Sequence, residues 1–571
     1  MDGSGQDRRP GDGVRGCARW LRRAILAATV LFAARLAFDH ATRIDPPSLA
    51  PPRFERVDSS GETARVGGSY LTRRGGLWLM QLAGGPVELG YRHARLAAPL
   101  MAEGDQQLVE LFARYVPSRV ARTAVTTLAR ARYRALDRAF PEDRRAEIFG
   151  ESAGYPDRFE FLFPTFHRLI YLHALYDIAL AFEHSPLLGC TAFAASGPAT
   201  SAGTAPGHTI VGRNFDFDVD PWFDEDKVVQ IVAPSGRIPF VSVAWPGMTG
   251  VVTGMSAAGI WVSVNGGRAG ELDSRGVPVV LTTRAVLEEA RSIDEAIAIV
   301  GRDAPMASHI LLLADGKTGE SALVERAPGR ALGIVRHPSV TVLANHYRTT
   351  PLRDDAKNAR IRDTTSTLAR AARMQELVDR DHGAIDPAVA ARVLRDRRGV
   401  GDVPLPLGNR NALDALVATH SVIADLTTRE LWVSEAPHAL GRYVYVDLDA
   451  RLARGEAAAG ETVKDLPPDP ALGDGTYARL RLGARLRREA AAASRAGDLA
   501  AAADLYRRAL ALRADDHLAW RELALVEERG GNGSAAREAW ERVLALAPES
   551  PAVERKARER LASGRDTGHE R

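Results

Sequence analysis

The sequence predicts a layered α+β protein with an all-helical module at its C-terminal end, and three observations carry this. Short apolar strands follow one another from Cys190 to Ser434, with helices grouped between them. A mostly helical stretch precedes them, and a repeating helical pattern follows them. Strands in runs with grouped helices indicate stacked sheets, not alternating βαβ units. Two sheets face to face with helices on both outer sides, four αββα layers in all, would bury this many apolar strands. At 571 residues the chain also exceeds one ordinary domain.

Composition narrows the function classes. The apolar share of 45% and charged share of 26% belong to a folded protein. The net charge is +3 and no basic stripe is interleaved with aromatics, so nucleic acid is not an expected partner. The two cysteines, Cys17 and Cys190, exclude a disulfide framework and a cysteine-based zinc cluster. No Gly-x-Ser-x-Gly surrounds a serine suited to be a nucleophile. No cofactor and no metal are expected.

Residues 1–44 read as a signal or membrane-anchor segment. Arg8, Arg9, Arg15, Arg19, Arg22 and Arg23 precede the uncharged run Ala24 to Ala34, and Arg35 interrupts it. A signal peptide needs about 7–15 apolar residues and a spanning helix about 20. Positive charge stays inside, which puts the body outside the cytoplasm. The alternative is an amphipathic arm lying on the surface. Residues 45–74 read as a proline-rich linker, with four prolines between Asp45 and Pro52. Within 75–189, Gly75 to Pro86 predicts a short strand, and Val87 to Ser185 predicts helices, with Leu108, Leu111, Phe112 and Tyr115 at helical spacing.

The body occupies 190–464. Strands are predicted at Cys190 to Ala195, Thr209 to Phe217, Lys227 to Ala233, Ile238 to Trp245, Gly250 to Met255 and Ile260 to Asn265. One helix is expected from Thr282 to Val300. Strands return at His309 to Ala314, Ser321 to Glu325 and Val340 to Asn345. Helices near Thr364 to Val378 and Pro387 to Leu394 precede a last hairpin from His420 to Ser434.

Residues 465–475 form a second linker, and 476–563 repeat themselves. Gly497, Ala501, Tyr506, Ala509, Leu510 and Leu512 are echoed by Gly531, Ala535, Trp540, Val543, Leu544 and Leu546, each 34 positions later. That period resembles tetratricopeptide repeats. With two clear units, the module is expected to lean on the body or on a protein partner.

Cys190 is the chemical candidate. It follows Gly189, the residue most tolerant of strained backbone, and opens the first strand of the β-rich region. Arg213 and Asp216 follow in a strand-like segment. Cleavage of Gly189–Cys190 would give Cys190 a free α-amine, with a reference pKa of about 8, able to serve its own thiol as base. Arg213 would favour the thiolate, and Asp216 could hold the amine. An oxyanion needs preorganised donors, and Asn265 and Asn345 at strand ends are candidates. The residues alone leave equal room for a buried structural cysteine.

Leu188-Gly-Cys-Thr followed by Gly212-Arg-Asn-Phe-Asp-Phe resembles the start of the mature chain in the isopenicillin-N acyltransferase family of cysteine N-terminal-nucleophile (Ntn) hydrolases, within the choloylglycine hydrolase superfamily. Thr253-Gly-Met-Ser-Ala-Ala-Gly-Ile resembles that family's glycine-bounded turn, with Ser256-Ala257 where Asn-Glu is usual. Ala344-Asn-His-Tyr, Asn358-Ala-Arg360 and Gly84-Gly-Pro-Val-Glu-Leu-Gly-Tyr-Arg-His resemble further family segments, the last in the propeptide. The resemblance, from about Gly75 to Ser434, implies an αββα Ntn-hydrolase sandwich with a helical propeptide at 75–189. It also implies self-cleavage at Gly189–Cys190 and Cys190 as nucleophile, supported by Arg213, Asp216, Asn265, Asn345 and Arg360. Arg362 is the neighbouring alternative to Arg360.

The function so implied is acyl transfer through a Cys190 acyl-enzyme, from a small N-acyl amide or acyl thioester, to water or an amine. A different class of reading is a membrane-tethered scaffold with an inactive body, whose repeats bind a protein partner. A third is a lipid hydrolase at the membrane surface using the same residues. Locally, Leu187 to Cys190 also fits a lipobox, but no apolar segment precedes it. His173, Asp177 and His184 could suggest a metal, yet nothing completes a ligand set, and polar helix-surface positions account for them. Arg395 to Arg398 read as a solvated helix end.

Overall fold

The computed structural model describes residues 12–160, 163–180, 188–202, 204–217, 220–455 and 464–566. Arg8 and Arg9 of the predicted export segment, and His184, lie outside the described residues, as does Leu187.

The N-terminal part begins with helix α1 (Asp12–Thr42), then strands β1 (Asp58–Ser60), β2 (Thr63–Val66), β3 (Ser69–Arg74) and β4 (Leu77–Gly84). Helices α2 (Pro86–Tyr115), α3 (Arg119–Arg132), α4 (Glu142–Gly154), α5 (Thr165–His173) and α6 (Leu175–Leu180) follow. The linker expected over 45–74 therefore ends near Val57. Tyr70 and Leu71 are buried in β3, so this stretch is sheet and not spacer. In α1, residues Arg22–Thr42 are long and apolar enough to cross a membrane, with mean hydropathy 1.5 and none of the window buried. The charge of Arg35 that interrupts the apolar run is paired with Asp39 one turn later.

The body continues with β5 (Leu188–Ala195), β6 (Ile210–Phe217), α7 (Trp222–Glu225), β7 (Val228–Pro234), β8 (Phe240–Ala244), β9 (Thr253–Ser256) and β10 (Ile260–Gly266). Helices α8 (Val279–Glu289) and α9 (Ile293–Arg302) stand where one helix was expected. Ser292 ends the run by accepting the backbone N–H of Glu295, at 3.3 Å, as an N-cap for α9. Next come β11 (His309–Asp315), β12 (Ser321–Arg326), β13 (Gly333–His337), β14 (Val340–Leu343), α10 (Thr350–Arg353), α11 (Ala356–Thr364), α12 (Thr367–Arg380) and α13 (Pro387–Leu394). The last hairpin gains a strand beyond Ser434: β15 (Ala418–Asp425), β16 (Glu430–Ser434), β17 (Tyr443–Asp447), then α14 (Leu448–Arg454).

Among the described residues the strands form two sheets. One has the order β1-β2-β3-β4-β7-β8-β9-β10-β11-β12-β13, and the other β14-β5-β6-β15-β16-β17. The N-terminal strands are part of the larger sheet, joined through β4 lying parallel to β7. Three apolar layers define the stacking. Val229, Ile231, Trp261 and Leu312 of the larger sheet meet Ala192, Val211, Val422 and Val444 of the smaller one in a shared core. The larger sheet's other face packs Met80, Val262 and Leu311 against Leu96, Ile148 and Leu287 of the helices. Phe193, Ile423 and Trp432 pack outward on Met374, Leu377 and Val389 of α12 and α13. Helices, sheet, sheet and helices thus make the four-layer αββα architecture.

The C-terminal helices are α15 (Thr476–Arg495), α16 (Leu499–Leu512), α17 (His517–Arg529), α18 (Gly533–Ala545) and α19 (Pro551–Asp566). Tyr506 and Trp540, 34 positions apart, are both buried, at 1% and 2% exposure. The sequence period thus marks equivalent positions in α16 and α18.

Candidate active site

Strand alternation decides which side chains meet. On β5, Ala192 and Ala194 face the other sheet, whereas Phe193 and Ala195 face the outer helices. A period of two puts Cys190 on the inner side. Arg213 and Phe215 share that side with Val211 on β6, and His420 shares it with Val422 on β15. From the facing sheet, Thr253 and Asn265 point the same way as Met255 and Trp261. One end of the sandwich therefore gathers side chains from both sheets.

Cys190 is fully buried. Arg213 Nη2 lies 4.0 Å from its Sγ. The same guanidinium donates to the carbonyls of Val252 and Val264 and to Thr253 Oγ1, which fix its position. Burial pushes the Cys190 thiol pKa up, and the Arg213 charge opposes that. Thr253 Oγ1 is 2.8 Å from His420 Nε2. Because a guanidinium only donates, Thr253 can give its own proton to His420, making Nε2 the acceptor. Burial, with Arg213 next, holds the His420 pKa well below its ordinary value, so this imidazole is neutral. It stacks on Phe215 with centroids 5.0 Å apart.

The backbone of Cys190 is held from the other side. Its N–H donates to Asn345 Oδ1 at 2.8 Å. Asn345 is oriented by Nδ2 donating to Gly266 O at 2.9 Å, and its own N–H donates to Thr367 Oγ1 at 2.8 Å. Asn265 Nδ2 donates to Ala344 O at 3.0 Å, so the two asparagines clasp each other's strand ends. Arg370 of α12 donates to Asn345 Oδ1 and to Cys190 O, both at 2.8 Å.

Asp216 stands opposite Gly189 in the β5–β6 ladder. A Cβ on Gly189 would lie 3.3 Å from Asp216 Oδ2 and 3.6 Å from Arg370 Nη2. A side chain here would make the end of Asp216 give by a few tenths of an ångström, and the backbone of Gly189 is ordinary strand, not one of the positive-φ glycines. Burial raises the Asp216 pKa to about 6, against the pull of Arg370 and then Arg410. Its Oδ1 has no hydrogen-bond partner among the described residues.

Of the sequence-predicted residues, Gly189, Cys190, Arg213, Asp216, Asn265 and Asn345 are thus brought together. Arg360 is exposed on α11, and Arg362 is half-buried there. The second arginine on Cys190, besides Arg213, is Arg370, ten residues along the chain from Arg360. Sequence reasoning missed Arg370, Thr253 and His420. Arg370 is one of several arginines on α12 and differs from them only in what buries it. His173 and Asp177 are structural: His173 Nε2 is 2.8 Å from Thr249 Oγ1, and Asp177 Oδ2 accepts from Val279 N at 3.0 Å. Among the described residues no three metal-binding side chains gather.

Two cavities adjoin this centre. One, of about 330 Å³, has Gly189, Asp216, Asn345 and Arg370 in its lining and reaches residues of the C-terminal helices. The other, of about 110 Å³, is walled by Tyr176, Phe215, Phe217, Phe223 and Trp245.

Residues 204–429 match the family model described as acyl-coenzyme A:6-aminopenicillanic acid acyl-transferase. An uncharacterized protein of Archaeoglobus fulgidus is 26% identical over 259 residues, which are 43% of this chain and 42% of that relative. The chain thus spans about two fifths of the length of the curated relative it matches. Among solved structures, the Caenorhabditis elegans ortholog of N-acylethanolamine-hydrolyzing acid amidase is 18% identical, covering 42% of this chain and 93% of that one, with TM-score 0.31. A mutant of conjugated bile acid hydrolase from Clostridium perfringens is 13% identical, covering 49% and 97%, with TM-score 0.31. Neither likeness bears on the site, which rests on its own geometry. The segment matched by that family model, residues 204–429, includes Arg213, Asp216, Asn265, Asn345 and Arg370.

Proposed function

We propose that this protein is an Ntn amidohydrolase or acyltransferase that severs its own Gly189–Cys190 bond and then uses Cys190 as nucleophile. The observation that carries the reading is the grip on the Cys190 nitrogen. Asn345 Oδ1 already accepts its N–H at 2.8 Å, where a freed α-amine would need an acceptor. Arg213, 4.0 Å from the sulfur, favours a thiolate on the same residue.

For self-cleavage, Cys190 Sγ attacks the Gly189 carbonyl carbon. The thiol proton passes to the departing Cys190 nitrogen, and the acyl group moves from nitrogen to sulfur. Water then hydrolyses the thioester, giving a Gly189 carboxylate and a free Cys190 thiol and amine. In turnover the amine takes the thiol proton and the thiolate attacks the substrate carbonyl. The proton goes to the leaving amine or thiol, and water or an amine resolves the acyl-enzyme. Asn265 Nδ2 has a second N–H beyond the one given to Ala344, available to a developing oxyanion. The neutral His420 is not required as base, and its place is to hold Thr253 against Arg213. The aromatic cavity beside Phe215 suits an apolar acyl group. Helix α1 is the proposed signal or membrane tether, and residues 476–563 the proposed tetratricopeptide-like module.

The test is to incubate the full chain with an N-acyl p-nitroanilide, quench in acid and digest. An acyl mass added to the peptide that starts with Cys190, absent in Cys190→Ser, supports the reading. Turnover with no acylated cysteine contradicts it.

A further inference from the structure

The aromatic cavity beside Phe215 is built from both sides of the Gly189–Cys190 bond. Leu108 of α2, Leu172 of α5 and Tyr176 of α6 meet Phe215, Phe223 and Trp245 of the body around it. A cut before Cys190 would leave this pocket shared between two fragments.

Polar atoms in so apolar a wall need partners. Trp245 Nε1 donates to Phe223 O at 2.7 Å. His173 Nε2 accepts the backbone N–H of Thr249 at 3.0 Å and lies 2.8 Å from Thr249 Oγ1, while Nδ1 is 2.8 Å from Leu169 O. Tyr176 differs. Its hydroxyl is buried and has no hydrogen-bond partner among the described residues. Burial, with the Cys190 charge next, pushes its pKa well above the ordinary phenol value, so the group is a neutral O–H with a proton to donate.

This donor stands near the reacting end. The Tyr176 ring lies 6.1 Å from that of Phe215, centroid to centroid, and Phe215 is the cross-strand partner of Cys190. An acyl chain entering the pocket displaces any water from the hydroxyl and has to replace its hydrogen bond. A chain of methylenes alone cannot do so, and leaves a buried donor unsatisfied. A chain with an oxygen a few bonds beyond the carbonyl supplies the acceptor at almost the same size. A site built around a hydrogen bond rejects the analogue that lacks it.

We propose that Tyr176 is a specificity-determining residue of the acyl pocket, and that the preferred acyl group carries an acceptor oxygen within its chain. The proposal rests on the reading of the aromatic cavity as the acyl pocket of Cys190. It gives the N-terminal part a task in choosing the substrate, besides completing the larger sheet.

The test measures binding in full-length Cys190→Ala, so it needs neither self-cleavage nor turnover. Hexanamide and two ethers of the same chain length, 3-ethoxypropanamide and 2-propoxyacetamide, are titrated calorimetrically with and without Tyr176→Phe. That substitution keeps the ring and removes only an unpartnered hydroxyl, so the fold is expected to hold. The expected result is that Tyr176→Phe weakens one ether relative to hexanamide by at least about fivefold, the cost of one lost buried hydrogen bond, while hexanamide binds as before or better. A smaller change in that ratio, equal weakening of all three amides, or no binding of any of them overturns the proposal. The ratio change found in a protein whose wild type never becomes acylated at Cys190 would keep this inference and reject the nucleophile.

Discussion

Asn345 Oδ1 receives two donors at the same distance of 2.8 Å, the backbone N–H of Cys190 and Nη2 of Arg370. One carbonyl oxygen thus couples the first residue of the reacting strand to the outer helical layer. The orientation of the amide is fixed, because the reversed group would set its NH₂ against two donors.

Removing that oxygen should slow self-cleavage without unfolding the protein. Losing one partner of a buried hydrogen-bonded group costs about 1–3 kcal/mol, which is about fivefold to 150-fold in rate. Asn345→Ala should therefore accumulate uncut chain, followed by denaturing electrophoresis over time, whereas its circular dichroism stays as in the wild type.

The two candidate arginines separate cleanly. Arg370→Ala removes the donors to Cys190 O and Asn345 and should reduce cleavage and acyl transfer by at least tenfold. Arg360→Ala changes an exposed residue on α11, away from the hydrogen bonds that hold Cys190, and should slow both steps less than Arg370→Ala does. Parallel rate measurements on the two variants check this, and equal losses would contradict the placement.

Asp216 gives a pH signature. Its pKa is raised to about 6 by burial, so the folded chain holds its proton more tightly than the unfolded chain. The stabilisation is complete below the ordinary carboxylate value and is lost as pH rises through about 6. In the Cys190→Ala background, Asp216→Asn should gain thermal stability over Asp216 between pH 4 and about 6, then keep a constant lead, as read by melting temperatures across pH.

The N-terminal part should stay attached after cleavage. It supplies β4 to the larger sheet, and buried ion pairs join α4 to α8: Arg144–Glu288 at 2.7 Å and Arg284–Glu147 at 2.8 Å. The two fragments should co-elute on gel filtration and part only in denaturant. Breaking a buried pair costs about 3–5 kcal/mol, so Glu147→Ala should lower the melting temperature sharply.

Much of the site was legible because strand chemistry is local. Cys190, Arg213 and Asp216 sit in two apolar runs whose period of two fixes which sides they face. The bounds of β6 followed from that patterning to within one residue, and those of α13 from the helical spacing of its apolar residues. Arg370 was not legible, since an arginine on an arginine-rich helix shows no sign of burial until the sheet beneath it is known. Thr253 and His420 escaped for a similar reason: their partnership joins two sheets across 167 positions of sequence. The strands β1 to β3 were read as linker because short, polar edge strands carry little apolar alternation. The 34-residue period located the C-terminal helices, but no repeat reveals that Glu549, in the turn before α19, lines the cavity that begins at Gly189.

The central claim is that Cys190 cuts the chain before itself, and intact mass with N-terminal sequencing of purified wild type and Cys190→Ala tests it most directly. The account predicts a wild-type fragment that starts at Cys190, and a variant with that junction intact. A wild-type chain still joined at Gly189–Cys190, or a variant cut there as well, would contradict it.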